Sequence, residues 1–225
     1  MSAAARPAAT VVVLRPSPSG PPQILMVRRT RSASFMADAF VFPGGRVDDA
    51  DGGDFARAAA RELLEEAGVR VEPEALVPLS RWITPSAEPK RFDARFYLAV
   101  VPAGTEARAD EAEVTELLWA PAAALLARHE AGAIKLPPPT LRTLGELAVH
   151  ASVDAVLDWA RARPILPIQP KLVVEPDGER IAIVLPWHPS YAAAPGEGEA
   201  IAPTSPLADG PGRYLLRDGR FWADG

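Results

Sequence analysis

No cysteine occurs anywhere in the 225 residues, which excludes disulfides, thiolate metal sites and cysteine nucleophiles together. Long hydrophobic runs are missing too. Every window is broken by Pro, Arg or Asp well before the roughly 18 apolar residues that a membrane-spanning helix needs, and the Ala-rich start has no positive leader followed by an adequate apolar core. Basic charge is in short supply: 24 Lys and Arg face 29 Asp and Glu, for a net charge of −5. With no basic stripe to neutralise a phosphate backbone, nucleic acid is not an expected partner. Histidine is scarce, and His129, His150 and His188 stand too far apart for a zinc motif of helical spacing. There is no Gly-x-Ser-x-Gly elbow, and the acidic run Asp48, Asp49, Asp51, Asp54 lacks the spacing and final glutamate of a calcium loop. These absences point to a soluble, cytoplasmic protein without a membrane partner, built as one domain with additions or as two small domains.

What is present is concentrated between Phe42 and Val69, FPGGRVDDADGGDFARAAARELLEEAGV. This stretch reads as a strand end, a glycine turn, an acidic loop and a helix. A helix advances about 100° per residue, so Glu66 projects roughly 40° from Glu62 and Glu65 roughly 60° to its other side. Three carboxylates therefore share one face, with Ala56, Ala60, Leu63, Leu64 and Ala67 expected as an apolar stripe nearly opposite. Clustered carboxylates repel one another by a few tenths of a kcal/mol per pair on an exposed helix. A bound divalent cation would relieve that repulsion, and oxygen-only ligands suit Mg²⁺ or Mn²⁺, with substrate phosphates completing the shell. Phosphate chemistry is the leading expectation; a solvated acidic face is the bland alternative.

The Gly-Gly turn after Phe-Pro, followed by Arg-Glu-Leu-Leu-Glu-Glu-Ala-Gly-Val, resembles the signature box of the Nudix hydrolases. In that pattern a glycine, five residues and a glutamate precede seven residues and then Arg-Glu-apolar-x-Glu-Glu-x-Gly-apolar. Here Gly45 is followed by five residues, Asp51 in place of the glutamate, nine residues, and then Arg61 to Val69 without a mismatch. The elongated box after SFMADAFVFPGG resembles the Nudix subfamily that includes the peroxisomal coenzyme A diphosphatases. The pantetheine-recognition pattern of some coenzyme A-cleaving members is matched only in its FPGG ending.

The resemblance implies an α/β/α sandwich with a mixed sheet and hydrolysis of a diphosphate linkage in a nucleoside diphosphate attached to another group. Coenzyme A or an acyl-CoA is the first substrate expectation; ADP-ribose, dinucleotides and modified nucleotides are rivals, and a non-catalytic ligand-sensing module is the alternative of another class. It also implies metal ligation by Glu62, Glu65 and Glu66, with the Gly44 carbonyl as a further ligand. Arg61, able to grip a carboxylate through two parallel hydrogen bonds, would hold one in place. Asp51 is the counterpart of the first glutamate only if the longer loop permits it; Asp48, Asp49 or Asp54 are substitutes. Gly68 is expected to end the helix.

Along the rest of the chain, Ala8–Leu14 and Ile24–Arg28 read as an antiparallel pair around SPSGPP. Arg28, Arg29 and Arg31 follow as candidates for substrate phosphates, and Phe35 as a candidate contact, with Phe40 assigned to the core. Residues 72–81 and 91–101 read as strands flanking the exposed loop TPSAEPKRF. Glu111, Glu113 and Glu116 are candidates for one more carboxylate that reaches the metal or positions water, Glu113 being the one assigned to substrate. Residues 121–131 read as a helix and 139–163 as one longer amphipathic helix closing the sandwich. The expected division is 8–163 for the Nudix domain and 164–225 for a proline-rich β and loop appendage, with Tyr214–Trp222 a hairpin around Asp-Gly. The appendage is expected to shape the mouth of the site or an oligomer interface, a homodimer being the simplest such assembly.

Overall fold

The first strand, β1 (Arg6–Ser17), carries buried residues at alternate and at consecutive positions, Ala9, Val11 and Val13 on one face and Val12 and Leu14 on the other. Such a strand must be covered on both sides, and in the computed structural model it is. The structure describes residues 3–30, 37–110, 114–175, 178 and 180–224. A tight turn at Pro18 and Ser19 leads into β2 (Gly20–Arg29), antiparallel to β1 with Leu14 opposite Ile24. Past that register the two strands part, and the chain between them fills the gap: β3 (Phe40–Val41) pairs with β2 and β4 (Gly44–Arg46) with β1. The amide of Val11 donates to the carbonyl of Pro43 (2.8 Å) at the crossing. This wedge delivers the Gly-Gly turn to the middle of the sheet.

Next come α1 (Phe55–Ala67), β5 (Val77–Ile83), β6 (Phe92–Val100) and β7 (Val114–Pro121). β6 runs parallel to β1 along its length, β5 is antiparallel to β6, and β7 is antiparallel to β2 with Leu25 opposite Trp119. The expected strand at 72–81 is shifted. Pro73 opens a 3₁₀ turn to Ala75, and the strand then runs on to Ile83, because proline suits the first turn of a helix and supplies no ladder N–H.

The helices α2 (Ala122–Glu130), α3 (Pro138–Leu147) and α4 (Val153–Ala162) follow. The single helix expected over 139–163 is two helices. Ser152 is extended and its hydroxyl accepts from the amide of Ala155 (3.2 Å), so it caps a new helix, while Ala148 ends the previous one. A serine inside an amphipathic pattern competes for backbone groups and favours a cap over a helix interior. The apolar periodicity on either side conceals that break.

β8 (Pro167–Ile168) joins the main sheet parallel to β5, with Trp82 opposite Ile168. β9 (Lys171–Val174), β10 (Ile181–Val184), β11 (Arg213–Arg217) and β12 (Arg220–Ala223) form a second, wholly antiparallel sheet in the order β12-β11-β10-β9. The Asp218–Gly219 turn of the last hairpin has positive φ at both residues (50° and 69°), the conformation of a two-residue hairpin turn. Of the turn expected at 176–178, Pro176 and Asp177 lie outside the described residues.

Two apolar layers result. On one face of the eight-stranded sheet α1 packs through Ala58, Ala59, Leu63 and Ala67 against Ala9, Val11, Val13, Leu25 and Tyr97. On the other, α2, α3 and α4 cover Val12, Leu14, Ile24 and Met26, and Ile183, Trp187, Leu207 and Tyr214 from the C-terminal region complete the same layer. This is an α/β sandwich around a mixed sheet. Among the described residues no helix is long and apolar enough to cross a membrane.

Candidate active site

Helix α1 starts because Asp54 caps it, accepting from the amides of Ala56 (2.8 Å) and Arg57 (3.3 Å), and stops because Gly68 takes a left-handed conformation (φ 65°) with its N–H on the carbonyl of Leu64. Between these ends its faces differ from the expected pattern. Ala58 and Ala59 are buried, Ala56 and Ala60 only partly so, and Leu64 is exposed. Glu66 lies on the buried side, at 6% exposure. The three glutamates thus sit at three depths, since the side chains of Glu62 and Glu65 are 13% and 56% exposed.

Strand β4 accounts for that gradation. Glu66 Oε2 accepts from the amide of Gly44 (2.9 Å), so its carboxylate enters the sheet where the wedge crosses. A Cβ at Gly44 would collide with the carbonyl of Ala9 and crowd the backbone of Thr10, and a Cβ at Gly45 would collide with the carboxylate of Glu62. The Gly-Gly pair therefore does two things: Gly44 lets β4 approach β1, and Gly45 lets Glu62 lie against β4.

Arg61 ties the cluster together. Its Nε and Nη2 donate to the two oxygens of Asp51 (3.1 and 2.9 Å), Nη2 also donates to the carbonyl of Arg46 (2.9 Å), and Nη1 donates to Glu62 and to Glu65 (2.9 Å each). Asp48 lies 3.8 Å away. The Arg61 guanidinium holds the buried Asp51 carboxyl below the ordinary carboxylate range, with a further bond from the amide of Asp48 acting the same way. In return Asp51, ahead of Glu62, raises the already high pKa of Arg61. Asp51 is thus the partner that aims Arg61. Its place one loop before the helix was the available signal; nothing in the sequence spacing marked it as a bidentate anchor.

The remaining expected residues fare unequally. Arg28 stands opposite Glu116 across β2 and β7 and is bonded to Asp38 (2.7 Å) and Glu116 (3.1 Å), so two carboxylates already meet its charge. Hydrogen bonding to Glu116, the larger cause, and to Asp38 raises its pKa. Arg29 donates its amide to Ala39, and its Nε is buried without a hydrogen-bond partner. Phe40 is buried in the core, as expected. Arg31, Phe35, Glu111 and Glu113 lie outside the described residues.

The donors fit a hard divalent cation in chemistry: they are all oxygens, and Glu62 and Glu66 lie along the same two residues of β4. Among the described residues no three His, Asp or Glu side chains stand together in an arrangement that could hold a metal ion. Glu62 and Glu65 are instead shared through Arg61 Nη1, a guanidinium whose position Asp51 fixes.

Residues 4–138 match the model of the NUDIX domain, more than half of the chain. The chain belongs to the NUDIX family. Among curated proteins it is similar to "Putative nudix hydrolase 7" of Caenorhabditis elegans, 28% identical over 192 residues, a match that covers 68% of this chain and 65% of the relative's length. Among solved structures, a NUDIX hydrolase from Alicyclobacillus acidocaldarius superposes with a TM-score of 0.62 at 25% identity, covering 69% of this chain and 96% of that one. The NUDIX domain of NrtR from Shewanella oneidensis, solved with ADP ribose, superposes with a TM-score of 0.52 at 18% identity over 64% of this chain and 86% of that one. These likenesses support the NUDIX fold, and the family model itself spans β1 to β7 with α1.

Proposed function

We propose that the protein is a divalent-cation-dependent NUDIX diphosphatase, which hydrolyses the diphosphate linkage of a nucleoside diphosphate joined to another moiety. The observation that carries this reading is the carboxylate cluster of α1, in which Glu62 and Glu66 lie against Gly45 and Gly44 of β4 while Arg61 Nη1 joins Glu62 to the more exposed Glu65. Glu62, Glu65 and Glu66, with the Gly44 carbonyl, would hold Mg²⁺ or Mn²⁺. Such an ion neutralises diphosphate oxygens and lowers the pKa of a bound water.

The chain's own groups supply the rest. Glu66, locked on the Gly44 amide, is the carboxylate whose place is best determined. Glu65, the most exposed of the three, is held by Arg61 Nη1 and is the one nearest to solvent water. Arg61 is a positioning residue: it spreads one guanidinium over Asp51, Glu62 and Glu65 and so limits how far the catalytic carboxylates can swing. A box glutamate not fully engaged by the cation, or Glu113, is the candidate base that takes the proton of the attacking water. Glu116 is a poorer candidate, being tied to Arg28.

For the substrate, the elongated box favours coenzyme A or an acyl-CoA, with ADP-ribose and dinucleotides next. A screen of purified protein with coenzyme A, ADP-ribose, dinucleoside polyphosphates and NADH in Mg²⁺ or Mn²⁺ tests both levels. Phosphate-bearing products from any of them, abolished by excess EDTA, are expected. Turnover that persists in EDTA, or no product from the whole set, overturns the proposal; product from ADP-ribose alone overturns the coenzyme A assignment only.

A further inference from the structure

On the face of the sheet away from α1, a cleft of about 600 Å³ opens between α2 and α3 on one side and β11, β12 and the loop at 206–211 on the other. That volume lies within the range of small-molecule sites. The cleft shares no residue with the Arg61 array. Its walls are aromatic, with Trp159, Tyr214, Phe221 and Trp222 all contributing, and Arg142 is set among them.

The charge at the base of the cleft is unbalanced. Glu146 receives Arg142 Nη2 (2.9 Å) and, through both its oxygens, Arg163 (3.0 and 2.9 Å). The three side chains are 13%, 4% and 5% exposed, so two guanidiniums share one carboxylate out of water and the group carries a net positive charge. A buried charge without a full complement of partners is costly. Arg142 Nη2 also reaches the carbonyl of Leu207 (3.1 Å), which fixes the guanidinium in place. Glu130 and Asp209, which also line the cleft, are exposed at its rim, where water and salt weaken their influence.

A helix glycine makes the same point independently. Gly145 lies within α3 and lines the cleft. Its backbone is not in the left-handed region, and a Cβ built on it meets no heavy atom within 4 Å. Neither conformation nor crowding calls for glycine there, and glycine is among the poorest residues inside a helix. What its missing side chain provides is room in the cleft.

We infer that this cleft is a second binding site, for an aromatic carboxylate whose ring lies among Trp159, Phe221 and Trp222 and whose carboxylate is received by Arg142. Aromatic rings stack and pack there, and a guanidinium within a group of net positive charge is a strong receptor for a planar anion. The site is independent of the diphosphatase reading.

Calorimetric titration of the full chain with 2-naphthoate, 2-naphthamide and 2-naphthylmethylamine tests it. The expected order is saturable binding of the carboxylate, at least tenfold weaker binding of the amide, and no binding of the amine. Gly145→Phe, whose Cβ meets no neighbour and whose ring is expected to enter the cleft, should abolish naphthoate binding while leaving the melting midpoint near that of the parent. Arg142→Met should remove the preference for carboxylate over amide, and Glu66→Gln, on the other face of the sheet, should leave binding unchanged. No saturable heat with naphthoate at millimolar concentration overturns the inference. So does amine binding equal to that of the carboxylate, or undiminished binding in a folded Gly145→Phe variant.

Discussion

The two faces of the central sheet treat their polar groups in opposite ways. Beneath α1 the polar groups are cross-tied: Arg61 makes five hydrogen bonds of 2.9 to 3.1 Å, to three carboxylates and one carbonyl, and Glu66 is held by the amide of Gly44. Across the sheet the α3 cleft has two buried guanidiniums sharing one carboxylate at its base and a helix glycine that leaves space. The first arrangement fixes side chains in advance, as chemistry on a small, highly charged group demands. The second leaves room for a ring and one polar anchor, as binding demands. The two arrangements can differ on one sheet because its two apolar layers are packed by different segments of the chain.

The sharpest way to break this comparison is Glu66→Gln. The amide keeps the size of the side chain and an oxygen for the Gly44 N–H while deleting the charge. If the rigid face is catalytic, turnover should fall by at least about a hundredfold, since loss of one ligand costs several kcal/mol and each 1.36 kcal/mol is about tenfold. The melting midpoint should move little. Steady-state rates and a melting curve on one preparation decide the matter: a folded variant with near-parental turnover removes this face from the chemistry.

A pair of glycine substitutions comes next. At Gly45 the atoms that a Cβ would strike belong to the Glu62 carboxylate, the flexible end of a side chain; at Gly44 they are backbone atoms of Ala9 and Thr10 along with the Thr10 hydroxyl. Gly45→Ala should therefore displace Glu62 and cut turnover by about tenfold or more while costing no more than about 1 kcal/mol of stability. Gly44→Ala should cost about 1–3 kcal/mol by forcing β4 away from β1, as overpacking does. Denaturant midpoints and rates for both variants test the split. Equal stability losses would mean that the two glycines serve the same purpose, against the geometry.

The two faces were not equally legible in the sequence. The rigid site was largely readable because its parts are local: helix α1, its caps and its three glutamates lie within one stretch, so helical spacing alone places them together. What escaped was the approach of β4, which buries Glu66, exposes Leu64 and makes Asp51 the anchor of Arg61, because those contacts depend on how β1 and β2 part around the wedge. The cleft was invisible for a stronger version of the same reason. Its walls come from residues as distant as Arg142 and Trp222, brought together by the break at Ser152 and by the second sheet. A tertiary juxtaposition of that kind has no period to detect.

Acid should weaken the rigid face in a defined window. Arg61 depresses the pKa of Asp51 in the folded state below its ordinary value of 3.8. A depressed carboxylate contributes stability that is present above the unfolded pKa and is lost as pH falls through the folded one. His150 and His188, both lowered from 6.5 by burial, act with the same sign at higher pH: below about 6.5 the unfolded chain binds protons that the folded chain resists. Stability should therefore decline in two steps, one beginning near pH 6.5 and one below about pH 4. For one linked proton the slope is at most about 1.4 kcal/mol per pH unit. Melting midpoints from pH 8 to pH 3 test this, and Asp51→Asn should flatten the lower step alone. A lower step that is unchanged in that variant would show that the Asp51–Arg61 pair does not stabilise the fold.

The smallest expected effect bears on the receptive face. Gly145 lies in α3 with ordinary helical φ and open space where a Cβ would stand, so alanine can be added there without a clash. Alanine restricts the unfolded chain more than glycine does and is the better helix former, a combined gain of about 0.5–1 kcal/mol. For a chain of this size that corresponds to a rise of about 1–4 °C in the melting midpoint. Diphosphatase turnover should be unaltered, because the Arg61 array lies across the sheet. A helix that would be more stable with alanine but carries glycine has given up stability for something other than its own folding, and the cleft is the feature that the missing methyl enlarges. Differential scanning calorimetry on Gly145→Ala settles the point: if the midpoint falls, the glycine is required by packing after all, and its claim to be there for the cleft is lost.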